Sequence, residues 1–134
     1  EKNGFTVIDD SYNANPDSMK AGLKVLADYE IKGNGRKIAL LADMKELGDD
    51  EVLYHNQIGE FAAKMPIDLL LTVGTLAESI GKACISKNNS ISTMHFYDNA
   101  QTAEYLNANL KAGDILYVKG SRSMALDEVV KALK

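Results

Sequence analysis

Strand-like and helix-like segments alternate five times along this chain, and this alternation constrains its fold more than any other feature. The short apolar runs cover residues 5–9, 37–42, 69–73, 94–97 and 115–118. Such runs are typical of parallel strands covered on both faces. Apolar residues recur at helical spacing around 19–27, 54–65, 103–110 and 126–133, and more weakly over 75–87. The pattern predicts an α/β fold, a Rossmann-like three-layer sandwich with a mostly parallel sheet of five or six strands.

Composition limits the class of protein. With 134 residues and 46% apolar residues, the chain is expected to form a single domain, residues 1–134. Its net charge of −4 argues against a nucleic-acid partner, and no apolar run is long enough to span a membrane. Cys84 is the only cysteine, which fits a reducing cytoplasm. The sequence starts with Glu1 almost directly on a strand, so we expect a piece of a longer protein.

Polar loops follow the first, second and fifth predicted strands, at residues 9–15, 43–48 and 119–123. In an open α/β sheet, ligands bind at the carboxyl ends of the strands, so these loops are the candidate site. The other two loops resemble turns, with Thr75 and either Asp98 or Asn99 as expected helix N-caps.

Two phosphate-binding motifs are absent from the sequence. The turn after the first strand contains no glycine, so it is not a dinucleotide-binding fingerprint. The stretch from Gly74 to Lys82 has the wrong spacing for a phosphate-binding P-loop and lacks its hydroxyl residue. A receiver-like signalling module is the alternative, because Asp9, Asp10 and Lys119 match its acidic pair and lysine. However, residues 71–74 contain no aspartate to accept a phosphoryl group.

Three blocks of sequence together resemble the C-terminal domain of the Mur ligases. They are the blocks at residues 9–19 (DDSYNANPDSM), 42–48 (ADMKELG) and 119–124 (KGSRSM), and all three follow predicted strands. The first block is specific to the branch of the family that uses D-alanyl-D-alanine. The second block usually begins with glycine, where this chain has Ala42.

The resemblance implies an ATP-dependent ligase of three domains, of which this chain is the third. Such ligases phosphorylate the terminal carboxylate of UDP-N-acetylmuramoyl-tripeptide, and the amine of D-alanyl-D-alanine then attacks the acyl phosphate to give a peptidoglycan precursor. The resemblance places the P-loop and most contacts to Mg²⁺ and UDP in the N-terminal and central domains. The third domain is similar to a lid that closes over ATP and the second substrate, and we expect no metal site and no activity in this chain alone.

Four residues after the first strand are candidate nucleotide ligands. Asp10 can accept hydrogen bonds from ribose hydroxyls, and Asn13 and Asn15 can pair with adenine or phosphate. Tyr12 offers a ring for stacking or a hydroxyl for donation, or it packs beneath the loop. Asp10 and Asn15 could also cap the first helix.

The second and fifth loops carry the candidate substrate ligands. Arg122 is the expected clamp for a carboxylate or phosphate, because its planar fork binds such groups through two hydrogen bonds. Ser121 and Ser123 can donate to the same anion, or Ser123 caps the last helix. Lys119 is a further candidate, with a structural pairing to Asp9 or Asp10 as its alternative. Asp43, with Glu46, could contact the incoming amine, or both belong to a solvated turn.

Both histidines are interpreted as structural. His55, in the second predicted helix, matches a histidine of the family but is placed to pack between helices. His95 is expected in or beside an inner strand.

Overall fold

A computed structural model describes residues 4–31 and 33–134. Within this part of the chain there are five strands: β1 (Thr6–Asp10), β2 (Lys37–Ala42), β3 (Leu69–Val73), β4 (Ser92–Phe96) and β5 (Ile115–Lys119). They form one all-parallel sheet in the order β1-β5-β2-β3-β4. The expectation of a five- or six-stranded, mostly parallel sheet is confirmed with five strands. Two of the predicted runs match the observed strands end for end, and the other three differ from them by one or two residues at one or both ends.

Five α-helices connect and follow these strands: α1 (Pro16–Asp28), α2 (Glu51–Ala62), α3 (Glu78–Lys87), α4 (Asn99–Asn109) and α5 (Asp127–Ala132). The Asp98 side chain caps α4 by accepting from the Gln101 N–H, as expected. Two other expected caps are wrong. Thr75 lies before α3, which begins only at Glu78, and Ser123 lies in a short 3₁₀ turn, Arg122–Met124, ahead of α5.

The two faces of the sheet carry separate hydrophobic cores. Side chains of α1, α2 and α3 pack with Ala39, Leu41 and Tyr117 on one face. Side chains of α4 and α5 pack with Leu40 and Val118 on the other. Alternate residues of a strand point to opposite faces, so each inner strand contributes to both cores. The result is the predicted three-layer sandwich.

The chain leaves β5 towards a different face of the sheet than it leaves the two neighbouring strands. Helices α1 and α2 follow β1 and β2 on one face, whereas α5 follows β5 on the opposite face. The loops after β1 and β2 therefore diverge from the loop after β5, which lies between them. Such divergence opens crevices at the carboxyl end of a parallel sheet. Here there is a crevice on each side of β5.

At the amino end of the same strands, Arg36 forms an ion pair with the buried carboxylate of Asp114. Asp114, which is buried, accepts from Nε and Nη2 of Arg36 at 3.2 and 2.7 Å, and from the backbone N–H groups of Arg36 and Lys111. Burial by itself would raise the pKa of Asp114. The hydrogen bonds from Arg36 and Lys111 outweigh this effect, and the pKa lies below its ordinary value.

His95 lies on β4, an edge strand of the described sheet that pairs with the inner strand β3, so it lies beside an inner strand as expected. Its Nδ1 is 2.8 Å from Oγ1 of Thr72 on the neighbouring strand β3. This contact is far from the β5 crevices in the sheet order and supports the structural interpretation of His95.

Candidate functional site

The carboxyl end of β1 is joined to β5 through Asp10. Its Oδ2 accepts from the Lys119 ammonium at 2.9 Å and from the Tyr117 hydroxyl at 2.8 Å. Lys119 is buried and donates to a neighbouring strand end, which is the structural alternative considered for this lysine. The Asp10 side chain is about half exposed, and its Oδ1 has no hydrogen bond within the described residues. One oxygen of Asp10 is thus structural and the other is open to a ligand.

Tyr117 is the buried support of this carboxylate. Burial, and then the adjacent Asp10, raises the pKa of Tyr117 above its ordinary value, so the phenol remains a hydrogen-bond donor. Sequence reasoning missed this residue. The usable signal was its position two residues before Lys119, because alternate residues of a strand share a face.

The side-chain oxygens of the two asparagines in the first loop accept hydrogen bonds from the backbone. Asn15 is the N-cap of α1: its Oδ1 accepts from the Ser18 N–H at 2.8 Å, and Ser18 Oγ accepts from the Asn15 N–H at 3.0 Å. This reciprocal arrangement is a capping box. Asn13 Oδ1 accepts from the Ala14 N–H at 2.9 Å. In both residues the amide oxygen is engaged, which leaves the NH₂ groups as the donors for a ligand.

Tyr12 and Arg122 meet across the crevice between β1 and β5. The guanidinium carbon of Arg122 lies 4.9 Å from the centre of the Tyr12 ring, and Nη1 is 3.5 Å from the Tyr12 hydroxyl. Tyr12 is 72% exposed, so it does not pack beneath the loop. Arg122 is exposed and pairs with no carboxylate in the part of the chain that the structure describes. Its fork is available to an anion.

The loop after β2 is tied to two neighbouring loops. Asp43 is buried, and its Oδ1 accepts from the Ala77 N–H at 2.7 Å, just before α3. The Asp43 carbonyl accepts from the Ser121 N–H at 2.9 Å, and Ser121 Oγ accepts from the Lys45 N–H at 2.7 Å. The carboxylate of Asp43 therefore points inward, which is neither the solvated turn nor the direct amine contact considered from the sequence.

The extra methyl group of Ala42 is accommodated by Gly120 on the adjacent strand end. A Cβ on Gly120 would lie 2.6 Å from the Ala42 Cβ, so only glycine fits opposite it. Gly120 therefore leaves the room that the methyl group of Ala42 occupies at this strand end.

Two clefts lie on either side of β5. The β1–β5 cleft, of about 340 Å³, is lined by Asp9, Ser11, Tyr12, Arg122 and Asp127. The β5–β2 cleft, of about 390 Å³, is lined by Asn13, Lys45, Glu46, Ser121, Arg122 and Ser123.

The clefts differ in charge and share one residue. The β1–β5 cleft has two carboxylates against one guanidinium, whereas the β5–β2 cleft has two cationic side chains against one carboxylate. Arg122 belongs to both. Lys45, in the second of the three sequence blocks, was not proposed as a ligand from the sequence. Its side chain is 44% exposed in the β5–β2 cleft, 3.4 Å from Asp43 Oδ2.

His55 of α2 is fully buried beneath the loop after β2. Its Nε2 accepts from the Met44 N–H at 3.0 Å, and its Nδ1 is 2.6 Å from the Glu51 carbonyl oxygen. His55 therefore lines neither cleft, and both of its ring nitrogens are engaged by the backbone. The described residues also contain no group of three His, Cys, Asp or Glu side chains arranged to hold a metal ion, and no helix long and apolar enough to cross a membrane.

Comparison with known protein families assigns this chain to one of them. The family described as "Mur ligase, glutamate ligase domain" matches residues 1–122. The chain belongs to the Mur ligase family. This confirms the resemblance seen in the three sequence blocks and leaves the receiver-like alternative without support.

Two relatives within the Mur ligase family carry the same name. The chain is 34% identical over 130 residues to the UDP-N-acetylmuramoyl-tripeptide–D-alanyl-D-alanine ligase of Bacillus subtilis, covering 97% of this chain and 28% of that protein. It is 37% identical over 130 residues to the enzyme of the same name from Escherichia coli, covering 96% and 26%. The chain therefore spans between a quarter and a third of the length of these relatives.

Solved structures of Mur ligases share the fold. MurF from Acinetobacter baumannii superimposes with a TM-score of 0.84 at 28% identity, covering 99% of this chain and 29% of that one. MurF ligase from Thermotoga maritima, solved in complex with ADP, gives a TM-score of 0.79 at 28% identity, covering 98% and 28%. These likenesses confirm the predicted α/β class.

Proposed function

We propose that this chain is the C-terminal domain of a three-domain, ATP-dependent ligase that joins D-alanyl-D-alanine to UDP-N-acetylmuramoyl-tripeptide. The observation that carries the proposal is the position of Arg122, whose fork has no carboxylate partner in the described chain and lines both clefts. The names of the relatives supply the reaction, and the ADP complex of a similar structure supplies the nucleotide.

The β5–β2 cleft is the proposed site for the carboxylate of D-alanyl-D-alanine. Arg122 would hold this group through two hydrogen bonds, and the exposed hydroxyl of Ser123 would donate to it. Lys45 adds a second positive charge. Ser121 faces the same cleft, although its Oγ already accepts from the Lys45 N–H, so its hydroxyl hydrogen is the part left to donate.

The β1–β5 cleft and the loop above it are the proposed nucleotide side. Asp10 would accept from ribose hydroxyls through its open Oδ1, and Tyr12 offers an exposed ring for stacking. Asn13 and Asn15 would donate from their NH₂ groups, because their oxygens accept from backbone N–H groups. Asn13 also lines the β5–β2 cleft, so it lies between the two proposed sites. Asp43 and Lys119 are buried and paired, so we assign them an indirect role as supports of the loops that bind substrate.

The remaining parts of the reaction are assigned to the N-terminal and central domains of the ligase. These would supply the P-loop and most contacts to Mg²⁺ and UDP, and this chain would act as the lid that closes on them. ATP supplies the phosphoryl group that activates the tripeptide carboxylate, and the amine of the dipeptide displaces phosphate to form the amide. Both ATP and the UDP-linked precursor are cytoplasmic metabolites, so the cytoplasm is the proposed location.

The proposal is tested by assaying the whole ligase that contains this chain, and the 134-residue chain alone. The whole enzyme should form the pentapeptide product only when ATP, D-alanyl-D-alanine and the UDP-linked tripeptide are all present, and the chain alone should form none. ATP hydrolysis by the pure 134-residue chain, or no product from the whole enzyme, would contradict the proposal.

Arg122→Ala in the whole enzyme provides the residue-level test. Loss of a charged hydrogen bond should lower kcat/KM by about ten- to a hundred-fold, with little effect on the unfolding temperature. Lys64→Ala is the matched control, because Lys64 is an exposed cation just beyond α2 at the amino end of the sheet. An unchanged kcat/KM for Arg122→Ala would remove Arg122 from the site.

A further inference from the structure

Three consecutive residues after β2 are each held by a buried group from another part of the chain. The Asp43 carboxylate accepts from the Ala77 N–H, the Met44 N–H donates to His55 Nε2, and the Lys45 N–H donates to Ser121 Oγ. Of the side chains in these three contacts, that of His55 is the one to which the proposed function gives no role. Its contact is also the central one, since Met44 immediately precedes the cleft residue Lys45.

The hydrogen bonds of His55 define the tautomer of its imidazole ring. A backbone N–H can only donate, so Nε2 accepts from Met44 at 3.0 Å. A carbonyl oxygen can only accept, so the ring proton lies on Nδ1, which donates to Glu51 at 2.6 Å. The Glu51 carbonyl lies one turn earlier in α2. His55 therefore connects the first turn of α2 to the loop backbone in one fixed orientation.

The loop that His55 holds has an unfavourable backbone conformation. Glu46 adopts a left-handed φ of 63° without being a glycine, and Gly48 follows with a φ of 73°. A non-glycine residue in this region persists only when the surroundings impose it. Both Lys45 and Glu46 line the β5–β2 cleft. The direction of these two side chains thus depends on the contacts that hold the backbone at residues 43–45.

We propose that His55 is a positioning residue, which fixes the Met44 backbone so that Lys45 and Glu46 face the β5–β2 cleft. It acts through the loop and touches no ligand. The importance of the loop for catalysis rests on the proposed function, whereas the hydrogen bond from Met44 to His55 and its effect on the loop do not.

The first arm of the test uses NMR on the 134-residue chain. A through-hydrogen-bond nitrogen–nitrogen coupling between the Met44 amide and His55 Nε2 should be detectable in the wild type. In His55→Leu, hydrogen exchange of the Met44 amide should accelerate by about ten- to a hundred-fold, because the buried N–H loses its acceptor. His55→Gln places an amide oxygen at the distance of Nε2 and should restore most of the protection.

The second arm measures kinetics of the whole ligase with the same variants. His55→Leu should raise the KM for D-alanyl-D-alanine more than the KM for ATP, and His55→Gln should recover most of the loss. A residue with a general packing role would lower the unfolding temperature without this split. His95→Leu is the matched control, because His95 contacts Thr72 and no residue of the loop.

The outcomes separate the inference from the proposed function. Absence of the coupling in the wild type, or equal Met44 protection in His55→Leu, overturns the positioning role. Wild-type kinetics in a His55→Leu enzyme that has lost Met44 protection also overturns it. If His55→Leu does not fold, the wild-type coupling and the His55→Gln exchange rates decide. If the wild-type ligase makes no product, the proposed function fails, and the NMR arm still decides whether His55 fixes the loop.

Discussion

Arg36 and Arg122 lie at opposite ends of the same sheet, and their surroundings are opposite in kind. Arg36, at the amino end, donates through Nε and Nη2 to both oxygens of the buried Asp114 and through Nη2 to the Asn109 carbonyl. Arg122, at the carboxyl end, is exposed, lies over the Tyr12 ring and pairs with no carboxylate of the described residues.

This difference separates the part of the molecule that serves stability from the part that can serve a ligand. A guanidinium whose donors are satisfied inside the protein has little capacity left for a substrate. A guanidinium at a cleft with only an aromatic partner keeps its planar fork for carboxylate or phosphate. The amino end of the sheet should therefore respond to mutation mainly in stability, and the carboxyl end mainly in activity.

The largest expected effect tests the amino end. Asp114→Ala removes the acceptor of four hydrogen bonds and leaves the Arg36 charge without its partner. We expect the free energy of unfolding of the 134-residue chain to fall by about 3 kcal/mol in urea titrations, because hydrogen bonds to a charged group contribute about 1.5–3 kcal/mol. Asp127→Ala is the control, since Asp127 forms an exposed pair with Lys131, for which we expect about 0–1 kcal/mol. Equal losses of unfolding free energy in the two variants would contradict the stabilising role assigned to the amino end of the sheet.

The stability contribution of the Arg36–Asp114 ion pair should depend on pH. The pKa of Asp114 is lowered in the folded state, so its contribution is present above the ordinary aspartate pKa and is lost as the pH falls through the folded value. We expect unfolding temperatures of the wild type to fall below about pH 4. Asp114→Asn should fall less steeply over the same range, and Asp127→Asn should follow the wild type. Parallel curves for Asp114→Asn and the wild type would contradict the assignment.

A smaller effect sharpens the comparison at the carboxyl end. Asn15 caps α1, so Asn15→Ala should lower the free energy of unfolding by about 1 kcal/mol. Asn13→Ala should have a smaller effect, because Asn13 Oδ1 bonds only the next residue. Measuring the KM for ATP in both variants of the whole ligase then separates capping from nucleotide binding. A larger loss of stability in Asn13→Ala would show that the loop is held differently.

Sequence patterns were sufficient to predict the fold, because strands that are buried on both faces have continuous apolar sequences. The inner strands β2 and β3 were predicted end for end, since every residue of β3 and nearly every residue of β2 is buried. The starts of α3 and α5 were not predicted correctly, because helix caps depend on a few local hydrogen bonds. Thr75 and Ser123 have the right chemistry for caps but lie too early in the chain.

The candidate site was predicted at the level of loops rather than of individual contacts. Polar composition after β1, β2 and β5 indicated the edge of the sheet at which the two clefts lie. It could not show that Asp43 turns inward to Ala77, or that Asp10 is shared by Tyr117 and Lys119. These pairings join residues more than thirty positions apart, so they depend on the order of the strands and not on local pattern.

The most direct measurement compares Arg122→Lys with Arg36→Lys in the whole ligase, titrating D-alanyl-D-alanine and ATP separately. Both variants keep the charge and lose the fork. Arg122→Lys should lower kcat/KM for the dipeptide by about ten-fold with unchanged stability, because a charged hydrogen bond is lost only in the ligand complex. Arg36→Lys should lower the unfolding temperature and leave kcat/KM near the wild-type value. Wild-type kinetics of Arg122→Lys towards both ligands would contradict the account.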